Sequence, residues 1–207
     1  MKILKNLPYL IFVILIGATV VYADALTPLD TLSKNIKSLV YLPKTGQTNC
    51  WNAIGIPILC PGTGQDGEYQ NGLPMTGERF MDNENGTIFD RVTNLTWQKC
   101  SRGQDALNCS GNAITSNWAN SLSYCNTLSS SGGKWRLPNR NELASIVDLS
   151  GVEPTINNKI FPNTPEVYYW TSTTFQQVYT SAWVIDFGNG RVSFNVKSLP
   201  NYTRCVR

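Results

Sequence analysis

Six cysteines in a chain that opens on an export signal constrain this sequence more than any other feature. Lys2 and Lys5 precede an apolar run over residues 7–21, and Val21-Tyr22-Ala23 places small side chains where a signal peptidase reads them. Residues 1–23 are therefore predicted to be a signal peptide, with cleavage after Ala23 or Ala25. The run falls short of the ~20 apolar residues of a comfortable membrane span, so membrane contact is expected only through this segment, if it stays uncleaved. No cysteine follows it closely, which argues against a lipid anchor. The expected address is the periplasm, the cell surface or the extracellular space.

Export takes the cysteines into an oxidising compartment, where pairing is their expected state. Six allow ~15 pairings, among which sequence alone does not choose. Cys50 with Cys60 and Cys100 with Cys109 flank short polar or glycine-containing segments, so local loops are the economical expectation, leaving Cys125 and Cys205. A metal-binding role for the thiols is disfavoured, because there is no Cys-x-x-Cys and the chain has no histidine.

The missing histidine also narrows the chemistry. Neither a Ser-His-Asp nor a Cys-His arrangement can be built. Asp148, Glu153 and Asp186 are available as a carboxylate pair for glycoside hydrolysis, but a helix end, a loop and an alternating strand give each a structural place. No enzyme activity is expected. Nucleic acid is not an expected partner either, since no Arg/Lys-rich run or recognition motif occurs.

The pattern of apolar positions gives the organisation. Residues 24–44 read as a short helical linker or stalk: Thr27 caps, Pro28 suits the first turn, and Leu29, Leu32, Ile36 and Leu39 form a two-heptad seam stopped by Pro43. It either lies on its own domain or joins protomers in a homo-oligomer. Residues 45–94, rich in glycine, asparagine and proline, read as short strands and turns, with an Asn85-Gly86 hairpin between Phe80 and Ile88. The acidic stretch Asp82-Asn83-Glu84-Asn85-Gly86 does not carry the EF-hand spacing, so calcium lacks a full motif and no cofactor is expected.

Trp118, Leu122, Cys125 and Leu128 predict a helix over residues 117–129, with Thr115 and Ser116 as its caps. Asn139 and Glu142 form a capping-box pattern opening a second helix over residues 140–148, with Leu143, Ile146 and Val147 inward. Residues 168–173 read as a strand. Trp183, Ile185 and Phe187 alternate, Gly188-Asn189-Gly190 turns, Val192, Phe194 and Val196 alternate again, and residues 202–207 close the chain as a last strand. The expected fold class is α+β: two helices with a mostly antiparallel twisted sheet and long disulfide-stapled loops, forming one domain over residues 45–207.

Charge is uneven along this frame. Without Lys2 and Lys5 the 17 basic residues fall to 15 against 14 acidic ones. Lys134, Arg136, Arg140, Lys159, Arg191, Lys197, Arg204 and Arg207 face only Glu142, Asp148, Glu153, Glu166 and Asp186 in the last third. Arg191, Lys197, Arg204 and Arg207 are the candidate ligands for an acidic, sulfated polysaccharide, since guanidinium groups pair bidentately with such anions. Tyr169 and Trp170, with Tyr168, Tyr179 and Trp183, are the candidate sugar-stacking rings, although a strand setting commits at least half of them to the core.

Several short motifs occur in one order: Thr63-Gly64-Gln65-Asp66-Gly67, Arg79-Phe80-Met81-Asp82, Gly86-Thr87-Ile88-Phe89-Asp90, Leu95-Thr96-Trp97-Gln98-Lys99-Cys100, Trp135-Arg136-Leu137-Pro138-Asn139-Arg140-Asn141-Glu142-Leu143, Tyr168-Tyr169-Trp170-Thr171-Ser172-Thr173 and Arg204-Cys205-Val206-Arg207. Together, over roughly residues 45–207, they resemble the Lcl C-terminal domain family, a bacterial secreted module of collagen-like adhesins. The resemblance implies a C-type-lectin-like fold, a long-range bridge between first helix and final strand that falls on Cys125 and Cys205, and, as in the adhesins, binding of sulfated polysaccharide. No Gly-X-Y repeat is present, so the collagen-like stalk is missing. Calcium-dependent lectins carry Glu-Pro-Asn and Trp-Asn-Asp; here Glu153-Pro154-Thr155 occurs without the second motif, so direct calcium coordination is not the expected mechanism. The expectation is a secreted, non-catalytic binding or adhesion module for an acidic glycan; the alternative is a structural subunit binding a surface protein.

Overall fold

The structure is a computed structural model that describes residues 42–75, 78–128, 133–151 and 153–207, together with two short strands near the start. The chain divides into units Met1–Tyr41 and Leu42–Arg207. In the first, β1 (Ile14–Ile16) pairs antiparallel with β2 (Thr19–Val21); the rest of the signal segment and the linker seam over residues 24–41 lie outside the described residues. Among the described residues, no helix is long and apolar enough to cross a membrane.

The second unit is mixed helix and antiparallel sheet. It opens with a hairpin of β3 (Cys50–Trp51) and β4 (Pro57–Ile58), followed by the single turn α1 (Asp66–Tyr69). A three-stranded sheet then runs in the order β5 (Phe80–Asp82), β6 (Thr87–Asp90), β7 (Leu95–Gln98). Its first turn is the expected Asn85-Gly86 hairpin, pairing Asp82 with Ile88. Gly86 has φ +81°, and a Cβ there would meet the Ala106 carbonyl oxygen at 2.7 Å, so position and conformation both require glycine. A second sheet has the order β10 (Val192–Val196), β9 (Ser181–Asp186), β8 (Tyr168–Thr174).

Helix α2 (Trp118–Thr127) lies against one face of this second sheet, burying Cys125 with Trp135, Leu137, Trp170, Ala182 and Val184. Helix α3 (Arg140–Ala144) and the β5–β7 sheet cover the other, around Trp97, Leu143, Ile146, Phe161, Tyr169, Ile185 and Phe187. Cover on both sides explains why β9 is buried at alternate and intervening positions alike, where sequence alternation implied one buried face.

The helix ends correct the expectations in detail. Asn117, not Thr115 or Ser116, caps α2, accepting from the Asn120 N–H at 2.9 Å. Ser116 instead exchanges main-chain hydrogen bonds with Asn201. The capping box of Asn139 and Glu142 forms as its spacing implies. Helix α3 stops at Ala144, short of residue 148, because the Asp148 N–H donates to the Thr155 carbonyl and peels the chain into a loop; Ile146 is fully buried all the same.

The closing residues form isolated bridges rather than a continuous strand. Tyr202 bridges Tyr169 of β8, and Val206 bridges both Trp97 of β7 and Arg136. One segment thus changes partner midway and ties the two sheets together. The disulfides are Cys50–Cys60, Cys100–Cys109 and Cys125–Cys205. The last, 80 residues apart in sequence, fastens α2 to this closing segment.

Candidate functional site

The four basic residues singled out from sequence separate into three environments. Arg204 is wholly buried. Its guanidinium donates to the Gln98 carbonyl at 2.9 Å, to the Lys99 carbonyl, and to Thr164 Oγ1 at 2.7 Å, and lies 4.7 Å from the centre of the Phe161 ring. Burial pulls its pKa below the ordinary arginine value, while Tyr169 works in the opposite direction. Tyr169 is equally buried, with its hydroxyl 2.5 Å from Ser101 Oγ, and burial pushes that phenol up. Trp170 is also sealed, its indole N–H donating to the Ser116 carbonyl at 2.8 Å. Arg204, Tyr169 and Trp170 therefore serve the interior and are removed from any surface ligand set: Tyr169 and Trp170 lie on opposite, covered faces of β8, and Arg204 lies in the closing segment that joins the two sheets.

Arg207 is partly exposed, with its guanidinium 5.3 Å from the Trp135 ring centre. Its main chain bonds to Thr96 in both directions, so it belongs to the β7 seam rather than to β10.

Arg191 and Lys197 do share one surface. The Asp186 N–H donates to the Arg191 carbonyl and the Lys197 N–H to the Thr180 carbonyl, so Arg191, Ser193, Asn195 and Lys197 have the same phase along the β10 edge. Their side chains fall on the α2 side of the sheet. Arg191 is exposed, donates to the Tyr168 hydroxyl and lies over the Tyr168 ring at 5.8 Å. Lys197 Nζ sits 4.1 Å from the centre of the Trp118 ring and donates to Thr174 Oγ1 at 2.9 Å. Tyr168 and Trp118 pack against the same buried cluster, so the aromatic supports are themselves fixed. Between the two cations, Ser193 and Asn195 are half-exposed, and Asn195 Nδ2 donates to Asn201 Oδ1 at 3.1 Å.

The ion pairs of the described residues are Arg79 with Asp90, Lys99 with Asp82, and Arg136 with Glu142. Neither Arg191 nor Lys197 takes part. A ring face orients a cation without neutralising it, so both charges stay available to an external anion. The acidic turn weighed for calcium is engaged elsewhere: Asp82 holds Lys99 at 2.7 Å and accepts from the Glu84 N–H. No group of three or more histidine, cysteine or acidic residues is arranged to hold a metal ion among the described residues. Two of the carboxylates weighed for catalysis hold local backbone, Asp148 accepting from the Ser150 N–H and Asp186, at the end of β9, from the Gly188 N–H.

The opposite face of the same strand is apolar. Val192, Phe194 and Val196 are 42%, 46% and 47% exposed. Phe194 stacks on Phe175 at 4.1 Å, Trp183 meets both rings edge-on, and Arg140 lies 5.0 Å over Trp183. Sequence reasoning passed over Ser193 and Asn195, and counted Arg140 only among the basic residues of the last third. The signal for the first two was present in Arg191-Val192-Ser193-Phe194-Asn195-Val196-Lys197, an amphipathic strand whose polar phase begins and ends in a cation.

The Lcl C-terminal domain model matches residues 86–207, which run from β6 through both longer helices and the β10 row to the closing segment. No curated protein matches the chain.

Proposed function

This chain belongs to the Lcl C-terminal domain family, and on that premise we propose that it is an exported, non-catalytic adhesion module holding acidic polysaccharide along Arg191, Ser193, Asn195 and Lys197. The observation that carries the reading is the support of both cations on aromatic rings, outside every ion pair of the described residues. Six residues of extended chain separate them by roughly 20 Å, a span that suits a linear polymer better than a small ion. The hydroxyl and amide between them suit sugar hydroxyls. Three disulfides fit an oxidising compartment, and a lectin-like fold belongs to the same reading, supported by the bridge between α2 and the closing segment. Retention on a heparin column tests it: retention that falls with salt supports it, and passage of the oxidised chain without delay at low salt sinks it.

A second reading, a protein-interaction subunit, is favoured by the hairpin between Cys50 and Cys60. Ile54 and Leu59 are 80% and 88% exposed there, with Trp51, Ile56 and Ile58 beside them, on a loop without a charged side chain. An apolar surface of this kind marks a contact site. Replacing Ile54 and Leu59 by Asp removes binding to a surface protein under this reading and leaves heparin retention unchanged.

A further inference from the structure

We propose that the β10 edge pairs with the same strand of a second copy when an acidic polymer is bound, so that the binding row is completed by both protomers. The inference rests on the polysaccharide reading and adds the partner. It begins from main-chain direction. Among the described residues, strand β10 has β9 on one side and no strand on the other. Because Arg191 and Lys197 bond towards β9, antiparallel alternation turns the main-chain groups of Val192, Phe194 and Val196 outward. Among the described residues, this outward set has one main-chain partner, the Leu199 N–H on the Val196 carbonyl. An edge with free donors and acceptors is a template for another strand.

The side chains fit a copy of themselves. About a two-fold axis at Phe194, an antiparallel partner sets Phe194 opposite its counterpart and Val192 opposite Val196 of the second copy. The stripe Val-x-Phe-x-Val thus meets itself in register, as a two-fold interface requires. Natural edge strands are commonly guarded by charge or proline, whereas this outward phase carries three exposed apolar side chains.

The other face explains the need for a ligand. In this register, Arg191 stands opposite Lys197 of the second copy, and Ser193 opposite Asn195. Like charges across a strand pair repel, and three apolar side chains per copy fall well short of the ~800 Å² that each partner of a stable dimer buries. The free chain is therefore a monomer at this edge. An anionic polymer reverses the balance, since it meets four cations in place of two: cross-strand pairs ~5 Å apart at the two ends of a row ~20 Å long. Charge complementarity with the polymer, not apolar area, drives the pairing.

The test uses the full oxidised chain, a size-defined heparin oligosaccharide and three variants with cysteines introduced into β10. Directly opposed, hydrogen-bonded residues lie at Cα separations of about 5.5 Å, within disulfide range. Phe194→Cys is expected to cross-link to a dimer when the oligosaccharide is added, and Val192→Cys, which faces Val196 of the second copy, is not; Val192→Cys with Val196→Cys restores the link. As a readout independent of variants, sedimentation of the unmodified chain is expected to double in mass with oligosaccharide. Retention of all variants on heparin, with the unmodified chain monomeric and no preference for position 194, overturns the paired edge and leaves the polysaccharide reading standing. Loss of heparin retention in the unmodified chain overturns both.

Discussion

Lys197 places its ammonium 4.1 Å from the centre of the Trp118 ring while donating to Thr174 Oγ1. The contact links the end of β10 to the first turn of α2 and leaves the charge unneutralised. Lys197→Ala is expected to lower the salt concentration that elutes the chain from heparin and to change stability by no more than about 1 kcal/mol, the size of an exposed cation–π contact. Urea unfolding alongside the column separates the two effects.

Arg204 makes the opposite case. Its Nη atoms serve two carbonyls and Thr164 in the interior, and truncation leaves these acceptors buried without donors. Arg204→Met is expected to cost about 2–4 kcal/mol by urea titration. The fraction that remains folded is expected to keep its heparin retention; loss of retention at unchanged stability would return Arg204 to the ligand set.

The contrast shows how far the sequence reached. Periodicity and capping residues located α2, α3, the Asn85-Gly86 hairpin and β8 to β10, because those signals are local: an apolar repeat, an Asx cap, a glycine with positive φ. The allocation of Arg191 and Lys197 to the surface and of Arg204, Tyr169 and Trp170 to the interior was not legible. It depends on which face of a strand is covered by chain from elsewhere, and Tyr169 and Arg204 come together only because the closing segment bridges to both sheets. The aromatic supports of the two cations are likewise distant in sequence, Trp118 from Lys197 and Tyr168 from Arg191.

Cys125–Cys205 ties α2 to that closing segment, which carries the seam between the sheets. Replacing both by Ala is expected to cost about 2–5 kcal/mol, since the long loop loses its restriction in the unfolded chain. Thermal unfolding under non-reducing conditions checks it. A change smaller than that on removing Cys50–Cys60, which closes a 10-residue separation, would contradict the ranking.

Acid sensitivity is expected at Glu142. Burial alone would raise its pKa, but the Arg136 guanidinium, at 2.6 and 2.7 Å, and the Asn139 N–H hold it below the ordinary value of 4.5. A carboxyl lowered on folding contributes stability that is complete above its unfolded pKa and is lost as pH falls through the folded one. Glu142→Gln is therefore expected to be less stable than the parent at neutral pH, with the difference shrinking below pH 4.5. Denaturant midpoints at neutral and acid pH measure it, and a gap that widens in acid would contradict the assignment.

The most direct measurement compares heparin elution of the oxidised chain with that of Arg191→Ala/Lys197→Ala across a salt gradient, with calcium and with chelator. Electrostatic binding through this row requires the parent to be retained at low salt, to elute earlier as salt rises and to ignore chelator, with the double variant eluting near the void while unfolding like the parent. Equal retention of parent and double variant would place the polysaccharide elsewhere on the molecule and contradict the account.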